Sequence, residues 1–221
     1  MKKDDYLIID FDSTFIKLET LEELAREALL ENPEKENIQD EIEKITKQGM
    51  YGKLSFGDSL KRRLALFSAN RENVEKVVDK IKKNISESFK KNKDFFKKNG
   101  KNIFVISGGF KECIFSISDD FGIPRENVLA NDFEFNSEGL IIGINEENLA
   151  SKTQGKVRQV ENLDLKGKIF VIGDGWTDFE IKREKQADYF LVFTENVRRK
   201  SVVDLADKEV KEFGEVISIL N

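Results

Sequence analysis

The chain opens on a short apolar run, Tyr6-Leu7-Ile8-Ile9, that stops on Asp10-Phe11-Asp12. An apolar run with no polar residue alternating through it predicts a strand covered on both faces. The same device recurs at Ile103-Phe104-Val105-Ile106, followed by Ser107-Gly108-Gly109, and at Ile169-Phe170-Val171-Ile172, followed by Gly173-Asp174-Gly175. Residues 189–193 form a last clear run of this kind. Between the first two runs the period changes. Leu21, Leu24, Ala25, Ala28 and Leu29 recur at spacings of three and four, as do Leu60, Leu64 and Phe67, and then Val74, Val77, Val78 and Ile81. That is the stripe of amphipathic helices. A break at residues 68–70 offers Asn70 as an N-cap.

The remaining segments are shorter. Residues 90–102 are basic and read as a solvated helix face carrying two core aromatics, Phe95 and Phe96. A helix over 110–121 stops at Gly122, with Pro124 beyond it. Residues 128–130 suggest a strand, and 133–135 with 140–144 flank a hairpin turn at Asn136-Ser137-Glu138-Gly139. A short helix covers 156–163, and the apolar pairs of the tail, 196–220, suggest packing. Strands alternating with helices predict an α/β fold: a Rossmann-like, doubly wound, mostly parallel sheet with a helical cap inserted after the first strand. Residues 16–89 are expected to form the cap, and 1–15 with 90–221 the core. Ligands of such sheets lie beyond the carboxyl ends of the strands. Asp10-Phe11-Asp12, Ser107-Gly108-Gly109 and the turn from Asp174 to Asp178 should therefore meet at one edge.

Composition narrows the chemistry. Among 221 residues there is no histidine and one cysteine, Cys113. That removes histidine-dependent triads, the commonest zinc ligand and any intrachain disulfide. The net charge of −5, with both signs interspersed, lacks the basic footprint of a nucleic-acid binder or of a protein drawn to anionic membranes. Nothing approaches the ~20 apolar residues of a membrane span, and the run at Leu7-Ile8-Ile9 is too short for a secretion signal. A soluble cytoplasmic protein is expected.

Asp10, Asp12, Asp174 and Asp178 in one pocket would repel one another without a cation. Magnesium suits a hard oxygen donor set that includes phosphate. Ser107 offers a hydroxyl, and the amides of Gly108 and Gly109 lie near a helix start, where anions are favoured. A carboxylate can act as nucleophile through an aspartyl-phosphate, which fits a phosphomonoester substrate. With 42 acidic residues in the chain, one Asp-x-Asp says little. Three such turns in this order, with a lysine between the last two, say much more.

These motifs resemble those of the haloacid dehalogenase (HAD) superfamily, and within it the phosphoserine phosphatase-like branch. The resemblance runs from Tyr6 to about Phe193. It implies that Asp10 is the nucleophile and that Asp12 protonates the leaving alcohol and then activates water. It implies a magnesium ion held by Asp10, the backbone carbonyl of Asp12 and Asp174, with Asp178 supporting that shell. Ser107 and Gly108 would bind phosphate together with a lysine, Lys156 in preference to Lys152. Thr177 falls at another polar site position. In the cap, Glu19 would meet the substrate's amino group and Arg63 its carboxylate, with Met50 and Phe56 lining the pocket. Tyr51 stands where the branch usually has glycine, and Trp176 is bulky for its turn; packing is the preferred reading for Trp176. The expected activity is magnesium-dependent hydrolysis of O-phosphoserine to serine and phosphate. The alternatives are another small phosphomonoester, transfer of the phosphoryl group to an alcohol, or, more remotely, a phospho-accepting receiver module. Receiver modules lack a helical insert of this length.

Overall fold

The computed structural model describes residues 1–50 and 53–221, Met50 by its backbone alone. The expectations for Tyr51 and for the Met50 side chain therefore lie outside the described residues. In chain order the strands are β1 (Tyr6–Ile9), β2 (Ile103–Phe110), β3 (Val128–Asn131), β4 (Phe133–Phe135), β5 (Ile141–Ile144), β6 (Ile169–Gly173), β7 (Tyr189–Phe193) and β8 (Lys208–Val210). β4 and β5 pair as an antiparallel hairpin. The other six form one parallel sheet in the order β3-β2-β1-β6-β7-β8.

Alternate residues of each central strand serve opposite faces. Leu7, Ile9, Val105, Ile172 and Phe193 enter one apolar cluster, while Ile8, Phe104, Ile106, Val171 and Val192 enter another. Burial on both faces is why the sequence shows unbroken apolar runs. Strand order reverses direction at β1, so a crevice opens beyond its carboxyl end, flanked by β2 and β6.

After β1 the chain enters an insert that carries α1 (Thr20–Ala28), α2 (Lys35–Met50), α3 (Phe56–Leu64) and α4 (Arg71–Lys83). Asn70 and Asn73 cap α4 reciprocally, as the break in the hydrophobic stripe predicts. The insert leaves and rejoins the sheet through two adjacent linkers. Ile16 bridges Ile85, the Lys17 amide donates to the Asn84 carbonyl, and the Ser86 amide to the Phe15 carbonyl. A second tie joins the insert to the hairpin, with Arg71 N–H on the Gly139 carbonyl and Ile141 N–H on the Ala69 carbonyl. Leu21, Leu24, Val74, Val77 and Ile81 share one apolar cluster with the sheet face beneath them.

The later helices are α5 (Glu87–Lys91), α6 (Lys93–Asn99), α7 (Lys111–Phe121), α8 (Gly155–Leu163), α9 (Trp176–Arg183), α10 (Lys200–Val203) and α11 (Phe213–Leu220). Phe89 and Phe96 are fully buried, with ring centroids 4.7 and 4.6 Å from that of Phe213. The tail packs as expected, burying Phe213, Val216 and Leu220. Two local differences from the sequence reading have physical causes. Ser107, Gly108 and Gly109 are extended within β2 rather than forming a turn after it. β2 bulges against β3 between Ile106 and Phe110, and the helix begins at Lys111. β8 is a three-residue edge strand with only Val210 buried, too short and too charged to stand out in the pattern.

Candidate active site

β1 ends by delivering Asp10 into the crevice, and the chain then turns sharply over residues 11–15. Ser13 takes φ 56°, a left-handed backbone that L side chains seldom adopt. The turn points three consecutive side chains at different partners. Asp12 accepts a hydrogen bond from the Thr20 hydroxyl at the start of α1. Ser13 Oγ donates to Glu19 Oε1 at 2.6 Å, and Thr14 Oγ1 donates to Asp174 Oδ1 at 3.3 Å.

β6 supplies the opposite wall. Asp174 follows Gly173, and Asp178 lies in the first turn of α9, where its carboxylate accepts from the Gly175 amide at 3.0 Å. A Cβ on Gly173 would collide with the Asp178 side chain, so glycine is what lets this carboxylate fold back over the strand end. Asp10, Asp174 and Asp178 are all buried, and each offers an oxygen within 4.8 Å of the others. Lys156, on α8, places its ammonium 2.7 Å from both Asp10 Oδ1 and Asp178 Oδ1. Lys152 lies in the preceding turn and ion-pairs with none of these carboxylates.

β2 brings the third wall. Ser107 is buried and its Oγ accepts from the Gly109 amide at 2.9 Å. Asn131 holds the Gly108 carbonyl at 2.8 Å. The Asp12 carboxylate lies 3.5 Å from where a Cβ on Gly109 would be. Phe56, from α3, packs directly on the bare Cα of Gly108, its ring 2.6 Å from the position of the absent Cβ. The insert thus roofs the site.

The remaining expected residues are less tightly gathered. Glu19 is half-buried at the cap base. Arg63 lies under the cap and donates to the Ser59 carbonyl and Thr46 Oγ1, each at 3.3 Å; no carboxylate among the described residues lies within ion-pair distance of it. Thr177 is exposed at the start of α9. Trp176 is 45 % exposed, resting on Phe179 beneath Arg183, so it packs only along one side.

Burial, and then the nearby Glu19 charge, hold the Asp12 carboxyl well above the usual carboxylate range; the Thr20 hydroxyl and amide offset this in part. Burial and the Asp10 charge also push Asp178 up, to about 7, against the pull of Lys156 and the Gly175 amide. Burial opposes the Lys156 charge, but the two carboxylates outweigh it and keep the ammonium protonated. Burial lowers Arg63, opposed by Glu22, Glu19 and Asp12.

Four contributors escape a reading of the sequence. Thr20 holds Asp12, and Glu22 adds a second acid beside Arg63. Arg199, six residues beyond the end of β7 at Phe193, sets its guanidinium against the Asp174 carboxylate and 3.9 Å from Glu19 Oε1. Asn196 supports the turn from below. The only prior signal was a pair of arginines after a buried strand.

The donor set fits a divalent cation. Asp10, Asp12, Glu19, Asp174 and Asp178 face only Lys156 and Arg199 among the described cations in direct contact, and every candidate ligand atom is a hard oxygen.

Comparison with known proteins places these features in context. Residues 7–183 match the haloacid dehalogenase-like hydrolase family. The chain is 30% identical to phosphoserine phosphatase of Bos taurus over 219 residues, which is 98% of this chain and 93% of that protein. It is 28% identical to phosphoserine phosphatase of Methanocaldococcus jannaschii, with 96% of each covered. Among solved structures, a phosphoserine phosphohydrolase-like protein from Francisella tularensis superposes with a TM-score of 0.86 at 31% identity, covering 98% of this chain and all of that one. A phospho-aspartyl intermediate analogue of phosphoserine phosphatase superposes with a TM-score of 0.78 at 27% identity, covering 99% of each.

Proposed function

This chain belongs to the haloacid dehalogenase-like hydrolase family, in its phosphoserine phosphatase-like branch, and from that premise we propose that it hydrolyses O-phosphoserine to serine and phosphate. The observation that carries the reading is the meeting of Asp10, Asp174 and Asp178 within 4.8 Å, with Lys156 bonded to two of them.

Asp10 attacks the phosphorus, and the bond to the ester oxygen breaks. Asp12 gives its proton to the departing alcohol. The chain is then an aspartyl-phosphate at Asp10. Asp12, now a carboxylate, takes a proton from water, whose oxygen attacks phosphorus and releases phosphate with Asp10 restored. A proton held above the usual carboxylate range suits Asp12 to the first step, and the cap over Gly108 limits stray water in the second. Ser107 and the amides around Gly108 receive phosphoryl oxygens, with Lys156 as the neutralising cation. Magnesium is the ion this donor set fits; Asp10, the Asp12 carbonyl and Asp174 would hold it, with Asp178 supporting. When bound, it would neutralise charge on the phosphoryl oxygens.

For the rest of the substrate, Glu19 suits an ammonium group. Arg63, sheltered and without an ion-pair partner among the described residues, suits a carboxylate. The setting we infer is cytoplasmic, supported by a single buried thiol, Cys113, whose burial holds it protonated. The test is phosphate release from a panel of small phosphomonoesters, with and without magnesium. O-phosphoserine should lead the panel, activity should need the ion, and Asp10→Asn should abolish turnover. Magnesium-dependent activity surviving in Asp10→Asn would end the mechanism. A different leading substrate would end the substrate assignment alone.

A further inference from the structure

The turn that carries Asp12 hangs from a single side-chain amide far away in sequence. Asn196 lies in the loop after β7. Its Nδ2 is 3.2 Å from the Ser13 carbonyl, 3.2 Å from the Thr14 carbonyl, 3.3 Å from the Ile16 carbonyl and 2.7 Å from Ser86 Oγ. Ser86 is fully buried, and its hydroxyl passes the chain on by donating to the Thr14 carbonyl at 2.7 Å. Two amide protons shared among four acceptors make a bifurcated clamp. It grips both cap linkers at once, the outgoing one at 13–16 and the returning one at Ser86.

The loop bearing Asn196 is itself anchored. Glu195 accepts from the Ser88 amide at 3.2 Å and from the Ser88 hydroxyl, and Ser88 Oγ accepts from the Phe213 amide at 2.9 Å. The clamp therefore ties the two linkers, through Ser88 and Phe213, to the core. What it holds is costly to hold otherwise. Ser13 is at φ 56°, a conformation that persists only where surrounding contacts over-determine it. Residues on either side of that bond supply the site: Asp12 before it, and Thr14, which bonds Asp174, after it.

We propose that Asn196 is the positioning residue for Asp12. It fixes the strained turn so that the proton of Asp12 stays in line with the leaving oxygen while the cap moves about its linkers. The inference rests on the assignment of Asp12 as acid, and the test separates the two. An alkyl phosphate such as O-phosphoserine needs its leaving oxygen protonated, whereas p-nitrophenolate departs without help. Misplacing the acid should therefore harm one substrate and spare the other, while general loosening of the fold should harm both alike.

The measurement is kcat/KM for both substrates with saturating magnesium, in the wild type, Asp12→Asn and Asn196→Asp. Asn196→Asp keeps the shape and removes both donors. We expect it to lose about tenfold or more on O-phosphoserine and less than about threefold on p-nitrophenyl phosphate, a weaker copy of the Asp12→Asn pattern. Should Asn196→Asp not fold, Ser86→Ala removes the relay to Thr14 while leaving Asn196, and the same selectivity at smaller amplitude is expected. Equal losses on both substrates, or none, would overturn the positioning role while leaving the Asp12 assignment standing. If Asp12→Asn itself shows no leaving-group selectivity, the underlying mechanism is what fails, and the positioning role fails with it.

Discussion

Arg63 and Arg199 are two cations near the acidic cluster with different surroundings, and we propose opposite tasks for them. Arg63 is sheltered by the cap and bonded only to a carbonyl and a hydroxyl. A substrate carboxylate would complete it, and a hydrogen bond to a charged group contributes about 1.5–3 kcal/mol. Arg63→Ala should therefore raise KM for O-phosphoserine by about ten- to hundredfold while kcat stays within about threefold. An unchanged KM would remove Arg63 from the substrate pocket. Arg199 lies instead against Asp174, one of the carboxylates expected to hold the ion. A cation there competes for the same oxygen, and partly exposed ion pairs contribute about 1 kcal/mol, or roughly fivefold in affinity. Arg199→Ala should thus tighten magnesium binding by about that factor in a calorimetric titration. Weaker binding would show that Arg199 orients Asp174 rather than competing for it.

At the scale of elements, one of the contacts by which the cap meets the core depends on a glycine. Phe56 of α3 rests on Gly108 of β2, and an added methyl would drive the ring away. Gly108→Ala should hold the cap off the site. The expected result is a several-fold higher KM, faster proteolysis around the linkers, and a thermal midpoint close to wild type. A midpoint lowered by more than about 8 °C would instead place the damage in the sheet, since 1 kcal/mol moves a domain of this size by about 2–4 °C. This contact also shows where sequence reading stops. β1, β2, β6 and β7 are legible because burial on both faces leaves an uninterrupted apolar run. The acidic turns are legible because parallel topology sends their carboxyl ends to one edge. Phe56 could be named from its resemblance to a family position, but not its seat on Gly108, which depends on how α3 crosses β2. The Thr20 bond to Asp12, the Arg199 contact with Asp174 and the Asn196 clamp are likewise tertiary, the last joining positions 183 residues apart. No local period encodes such partners, and β8 fails for a different reason, being an edge strand with one buried residue.

For the whole molecule, gathering buried carboxylates at the carboxyl ends of the strands stores a repulsion that depends on pH. Asp12 and Asp178 both have folded-state values above those of an unfolded chain, Asp178 at about 7. A carboxyl raised in this way gives the folded state a greater share of protons. Its stabilising contribution is complete below the unfolded value, near 4, and is lost as pH rises through the folded value. The exposed acids with lowered values, such as Glu87 and Glu209, pull the other way, but solvent screens them strongly. The metal-free protein should therefore melt lower at pH 8 than at pH 5, by about 5 °C or more if the buried carboxyls account for roughly 2 kcal/mol. A divalent ion binds the deprotonated carboxylates, so magnesium should raise the midpoint far more at pH 8 than at pH 5. Melting curves at both pH values, in chelator and in saturating magnesium, give four numbers that decide the matter. If the chelated protein melts at the same temperature or higher at pH 8, or the gain from magnesium is independent of pH, the carboxylates do not share one electrostatic site.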